Sequence, residues 1–174
     1  MKKFRCNHFN KFKIDDIWEC DSWKEYYLNK YIRKGIRLDF ERDVNEDVKK
    51  TIKDAIAWLR TQYEFPIRIR IYVKKAPLIR AKDGEMIPDL FFWPSNRCDE
   101  PYIKIATGDY NDLLQKMNSD DALSTILFAL FRELTHYYQW INELDIDDPK
   151  LERQAILCAK KRLRFYTKTK EHLL

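Results

Sequence analysis

The spacing of apolar residues along the chain changes several times, and each change marks an element. Between about Asn45 and Tyr63, residues Val48, Ile52, Ile56, Leu59 and Tyr63 recur at intervals of four, four, three and four, which predicts a helix with one apolar stripe. Phe65-Pro66 ends it, because proline cannot donate the next helical hydrogen bond and disfavours helix in the residue before it. From Ile67 to Val73 the period becomes two: Ile67, Ile69, Ile71 and Val73 alternate with Arg68, Arg70 and Tyr72, as in a half-buried strand. Asp83-Gly84 lies between the short runs Leu78–Ala81 and Glu85–Ile87, which suits a hairpin turn needing positive φ. Tyr102–Ala106 reads as a further strand, closed by Thr107-Gly108-Asp109. From Asp121 to Leu144 the helical period returns in Leu123, Leu127, Leu130, Leu134, Tyr137 and Ile141, while Ala122, Ile126 and Ala129 make the opposite side apolar too. A helix with so little polar surface belongs at the centre of the core. Asp147 and Asp148 before Pro149 read as the capped start of a last helix reaching about Tyr166. Upstream, Asp21–Arg33 reads as a helix with Trp23, Tyr26, Tyr27 and Tyr31 on its apolar face, stopped by Gly35.

Composition narrows what this arrangement serves. The chain has 174 residues, 45% of them apolar and 14% aromatic, enough for one compact core and too few for two. Only three glycines are present, which argues against a Gly-rich nucleotide cradle. No run of about 18 apolar residues occurs, and Met1–Arg5 is charged without the apolar stretch of a signal peptide. A cytoplasmic protein without a membrane partner is expected. Cys6, Cys20, Cys98 and Cys158 are scattered with no CxxC pair, which favours reduced thiols over a disulfide framework.

The net charge of +5 is unevenly spread. Residues 101–150 hold nine acids against four bases, and 151–174 hold seven bases against two acids. Lys160, Lys161, Arg162, Arg164, Lys168 and Lys170, with Tyr166 available for stacking, form a candidate nucleic-acid contact. They do not all share one helical face, so a solvated helix end explains them equally well. Arg68 and Arg70 would extend such a patch, although the polar face of a strand is ordinarily just solvent-facing.

The central helix carries Arg132-Glu133-Leu134-Thr135-His136 in the context FRELTHYYQW. In HExxH, two histidines four residues apart project from one helical face to bind zinc, and the intervening glutamate activates the metal's water. Glu133 and His136 stand in those places, and Arg132 replaces the first histidine. Glu152, in Leu151-Glu152-Arg153-Gln154-Ala155, shares a stripe with Ala155, Ala159 and Leu163 and so faces inward. The residues alone also fit polar groups on a buried helix, hydrogen-bonded to one another or to tyrosine hydroxyls.

Taken together, IATGDY, ELTHYYQW and ERQA resemble short bacterial and phage-type zincin-like proteins, related at a distance to SprT-like and ImmA-like peptidases. The resemblance covers about residues 44–166. It implies an α+β fold: a minimal zincin-like domain with N-terminal helices, a small and mostly antiparallel sheet with an edge strand such as YIKIATGDY, and two C-terminal helices. Residues 1–43 would be an aromatic-rich helical extension packed on the core, and 44–174 the zincin-like domain with its basic tail. Glu133 would be a vestigial general base, and His136 and Glu152 vestigial or weak metal ligands.

Arg132 decides what remains of that chemistry. A guanidinium is permanently cationic and has no lone pair to give a metal, so zinc is left with two protein ligands where catalytic sites have three. Residues 132 and 136 share a face, so Arg132 is expected to reach Glu152 and put its charge in the metal's place. No cofactor is then expected, with zinc only if the site is still competent. The expected function is that of a catalytically inactive binding or inhibitory module with a protein or ribonucleoprotein partner, in the manner of phage or mobile-element proteins directed at host defence, anti-CRISPR proteins among them. The alternatives are an active zinc metallopeptidase with an atypical site and a nucleic-acid-binding protein using the basic tail. A separate metal site from Cys6, His8, Cys20 and Cys98 has no familiar zinc spacing.

Overall fold

The computed structural model describes residues 16–25, 33–96, 99–142 and 149–171. Strand β1 (Ile36–Phe40) follows Gly35, whose φ of 92° a side chain would strain, and leads into helix α1 (Glu46–Gln62). Asn45 caps that helix by accepting from the Asp47 amide at 2.8 Å, and Glu46 and Asp47 complement its positive end. Its buried stripe is Val48, Ile52, Ala55, Ile56 and Leu59, close to the expected periodicity.

Strand β2 (Ile69–Lys74) starts two residues later than its alternation suggests. The hydroxyl of Tyr137 takes the backbone of Ile67, accepting from its amide at 3.1 Å and donating to its carbonyl at 2.8 Å, where a strand partner would otherwise bind. Strands β3 (Ile79–Arg80) and β4 (Met86–Ile87) make the expected hairpin, with Gly84 at φ 94°. Strand β5 (Asp89–Phe92) and strand β6 (Tyr102–Ala106) complete the main sheet, and helices α2 (Tyr110–Lys116), α3 (Ser119–Ile141) and α4 (Pro149–Glu171) follow.

The fold is α+β, with a four-stranded sheet in the order β1-β2-β6-β5 beside the two-stranded hairpin. Two details of the expected sheet are corrected. It is mixed rather than mostly antiparallel: β1, β2 and β6 run parallel, and β5 alone is antiparallel to its neighbour β6. The α1 crossover returns the chain to the same end of the sheet, which makes β1 and β2 parallel. Tyr102–Ala106 is an interior strand, and the edges are β1 and β5, the latter a four-residue segment with no period-two pattern to announce it. Strand β1 shows that residues before 44 contribute to the sheet itself.

Helix α3 passes through the centre of the core, with Leu127, Leu130, Phe131, Leu134, Tyr137 and Ile141 all buried. Asn118 caps it by accepting from the Asp121 amide at 2.9 Å. Helices α1 and α3 touch each other and the strands, so they share one face of the sheet, and α2 and α4 pack on α3. Helix α4 runs five residues past the expected end at Tyr166, because its last turns need only solvent and α1 at their polar side, where Lys170 reaches Asp54 at 3.7 Å. Of the expected helix Asp21–Arg33, only a 3-10 turn at Ser22–Glu25 lies within the described residues; 26–32, and the Asp147-Asp148 cap, lie outside them. No described helix is long and apolar enough to cross a membrane.

Candidate functional site

Three elements converge on one side chain. Arg132, Glu133 and His136 come from α3, with 132 and 136 one turn apart on the same face. Edge strand β5 supplies Asp89, which pairs with buried Ile105 across β6 and therefore points to the helical side of the sheet. The first turn of α4 supplies Glu152.

Arg132 binds all three carboxylates. Its Nε donates to Glu152 Oε1 at 2.7 Å and its Nη2 to Glu152 Oε2 at 3.1 Å, the bidentate fork that a guanidinium forms with a carboxylate. Its Nη1 donates to Asp89 Oδ1 at 3.0 Å and also to Glu133 Oε1. Glu133 is 3% exposed and accepts a further hydrogen bond from the backbone of Phe91 on the edge strand. His136 Nδ1 donates to Gln139 Oε1 at 2.7 Å, and its Nε2 lies 3.2 Å from Glu152 Oε2. Gln139 is itself held by the Leu151 carbonyl at 2.8 Å and by Gln154 Oε1 at 3.0 Å, both as acceptors from its Nε2. That orientation turns Gln139 Oε1 toward the ring, so Nδ1 carries the proton.

One guanidinium does not balance three carboxylates, and the groups respond differently. Burial raises the Glu133 pKa, the neighbouring Asp89 charge adds to the rise, and Arg132 opposes it. Asp89 is also raised, by burial first and by Glu152 second, again against the pull of Arg132. Glu152 goes the other way: burial would raise it, but the hydrogen bond and charge of Arg132 outweigh that and hold it low. Burial lowers the His136 pKa, against the contacts with Gln139 and Glu152 that favour the protonated ring. The chemically consistent picture is an Arg132–Glu152 ion pair beside an Asp89–Glu133 pair that retains a proton into the neutral range.

These residues do not fit a catalytic zinc site. Arg132 has no lone pair, and its fork occupies both oxygens of Glu152, the carboxylate that would complete the ligand set with His136. Among the described residues no group of three or more His, Cys, Asp and Glu side chains has an arrangement able to hold a metal ion. Glu133 is engaged by Arg132 and the edge-strand backbone.

The six basic residues of the tail are dispersed rather than gathered. Arg162 is fully buried, donates to Asp16 and stacks 4.9 Å from the Tyr63 ring centroid. Lys161 pairs with Asp16 at 2.7 Å and Lys170 with Asp54 at 3.7 Å. Lys160, Arg164 and Lys168 are exposed. The nucleic-acid reading therefore loses Arg162 altogether, because core packing on Trp18 and Tyr63 claims it. Of the cysteine-based alternative, Cys6, His8 and Cys98 lie outside the described residues, and Cys20 is half-buried.

Sequence reasoning missed Asp89, because its strand has no alternation, and it missed the Gln139–Gln154 pair, although Gln139 three residues after His136 shares its helical face. No family model, curated protein or solved structure matches the chain.

Proposed function

We propose that the chain is a degenerate zincin-like domain in which the Arg132 guanidinium stands where a metal ion would be, and that it acts by binding rather than by catalysis. The observation that carries this reading is the bridge from α3 to β5 and α4: one fixed cation holds Glu152, the expected downstream ligand, together with Asp89 and Glu133, and so ties the elements together as a bound metal ion would. Without a bound metal there is no activated water for Glu133 to deprotonate, and peptide hydrolysis is absent. A scaffold kept after its chemistry is lost retains shape and surface, so its role is recognition of a macromolecular partner. A cytoplasmic setting is part of this reading, in which Cys158 fills the core, its thiol pKa pushed up to about 11 by burial.

The competing reading, an active metallopeptidase, needs zinc on His136 and Glu152 alone. Metal analysis after incubation with zinc separates the two. The purified protein should hold under about a tenth of an equivalent, and Arg132→His should take up about one, since it restores a third ligand with HExxH spacing. One equivalent in the unaltered protein, or chelator-sensitive peptidase activity, would refute the proposal. An Arg132→His variant that stays metal-free would count against a zincin ancestry.

A further inference from the structure

The sheet has a second face, opposite the Arg132 cluster, and its composition is not that of an ordinary wet surface. In β2 the inward residues Ile69, Ile71 and Val73 are fully buried, so Arg70, Tyr72 and Lys74 point outward. The register extends this face across all four strands. One row is Arg37, Arg70, Tyr102 and Phe92; the next is Asp39, Tyr72, Lys104 and Leu90. The helices lie on the other side, and these outward residues are half-exposed, with Arg37 the most open at 50% of its side chain.

Three aromatic rings meet here. Phe92 and Tyr102 stack with centroids 4.6 Å apart at 21°, and Tyr72 meets Tyr102 edge-on at 6.0 Å. Two ammonium groups sit over them: Lys82, from the turn of the β3–β4 hairpin, is 3.9 Å from the Phe92 centroid, and Lys104 is 5.4 Å from that of Tyr102. Arg37, Arg70, Lys74 and Lys104 occupy strand positions on this face against Asp39, which pairs with Arg37 at 3.4 Å. Glu100 and Glu41 reach in from loops to Arg70 at 3.2 Å and Lys74 at 3.7 Å, which leaves the face net positive.

We infer that this open face binds single-stranded nucleic acid, with Phe92 and Tyr102 receiving bases and Lys82, Lys104 and Arg37 receiving phosphates. Rings that accept any base, bordered by cations that follow the backbone, are the two features by which proteins hold single strands without reading sequence. In duplex DNA the bases are stacked within the helix and their faces are not open to Phe92 or Tyr102. An acidic peptide would use the cations and leave the rings unemployed. Lys82, an exposed side chain on a turn, lies over the Phe92 ring, so a base enters where that ammonium lies and Lys82 moves to a neighbouring phosphate. This inference is independent of what Arg132 does.

The test is fluorescence anisotropy of the full chain with a labelled oligothymidylate of about a dozen nucleotides, across a salt series. Binding should weaken steeply with salt, and Phe92→Leu and Tyr102→Leu, which keep apolar bulk, should each weaken it roughly tenfold or more while circular dichroism stays unchanged. Lys82→Glu with Lys104→Glu should flatten the salt slope by about two. Absence of binding at low salt would overturn the inference. So would leucine variants that bind as well as the unaltered chain, duplex or polyglutamate competing as well as the single strand, or loss on substituting Lys160, Arg164 and Lys168 in place of the sheet residues.

Discussion

Replacing Arg132 by methionine keeps most of the side chain's length and removes its charge, leaving Asp89, Glu133 and Glu152 without their cation. The cost is unequal among them. The Glu152 side chain is 41% exposed, so water screens it and its share is about 0–1 kcal/mol. The Glu133 and Asp89 side chains are 3% and 13% exposed, and stripping the partner from such a buried charge costs about 3–5 kcal/mol. The loss depends on pH in a fixed direction. A carboxyl whose pKa is raised by folding stabilises the fold below its unfolded value, and that contribution fades as pH rises through the folded value. Both Asp89 and Glu133 are raised already, and removing Arg132 takes away the effect that restrains them. Arg132→Met should therefore cost about 1–2 kcal/mol at a pH near 4.5, from lost hydrogen bonds, and about 3–5 kcal/mol near pH 8. Urea denaturation reads this as a midpoint lowered by roughly 1–2 M at the higher pH. A loss below about 1 kcal/mol at every pH, or one that grows toward acid, would refute the reasoning.

Two further stability effects follow from the 3-10 turn Ile17–Glu19, which Asp16 caps. Asp16→Ala leaves fully buried Arg162 without its carboxylate and should destabilise by about 3–5 kcal/mol in urea, while Asp16→Asn, which keeps an acceptor, should lose less; equal losses would deny the role of the charge. Thr135→Val removes the acceptor of the Trp18 indole N–H, held at 2.8 Å in the core, and should cost about 1–3 kcal/mol by the same assay; an unchanged midpoint would show that the indole finds another partner.

How much of this could be read from the chain differs by element. α1, β6 and the β3–β4 hairpin appear nearly where their periodicities place them, because each buries one regular face or turns on a glycine that needs positive φ. β5 and α2 have no such pattern. β5 is too short to show a period of two, and α2 buries only Tyr110. At the site, the i, i+4 relation of Arg132 and His136 and the reach of Arg132 to Glu152 were legible, since both follow from helical geometry, although Glu152 is 41% exposed rather than turned fully inward. Asp89 was not, because its place beside Arg132 depends on how β5 registers against β6, a non-local fact. The outward aromatic row is likewise assembled from β2, β5 and β6, and no single segment contains it.

The most direct measurement of the central claim is X-ray diffraction from crystals grown with zinc, with anomalous data at the zinc absorption edge. The account predicts a continuous guanidinium bridging Glu152, Asp89 and Glu133, and no anomalous peak beside His136. An anomalous peak about 2.0–2.1 Å from His136 Nε2, with Glu152 turned onto it and Arg132 swung away, would contradict it.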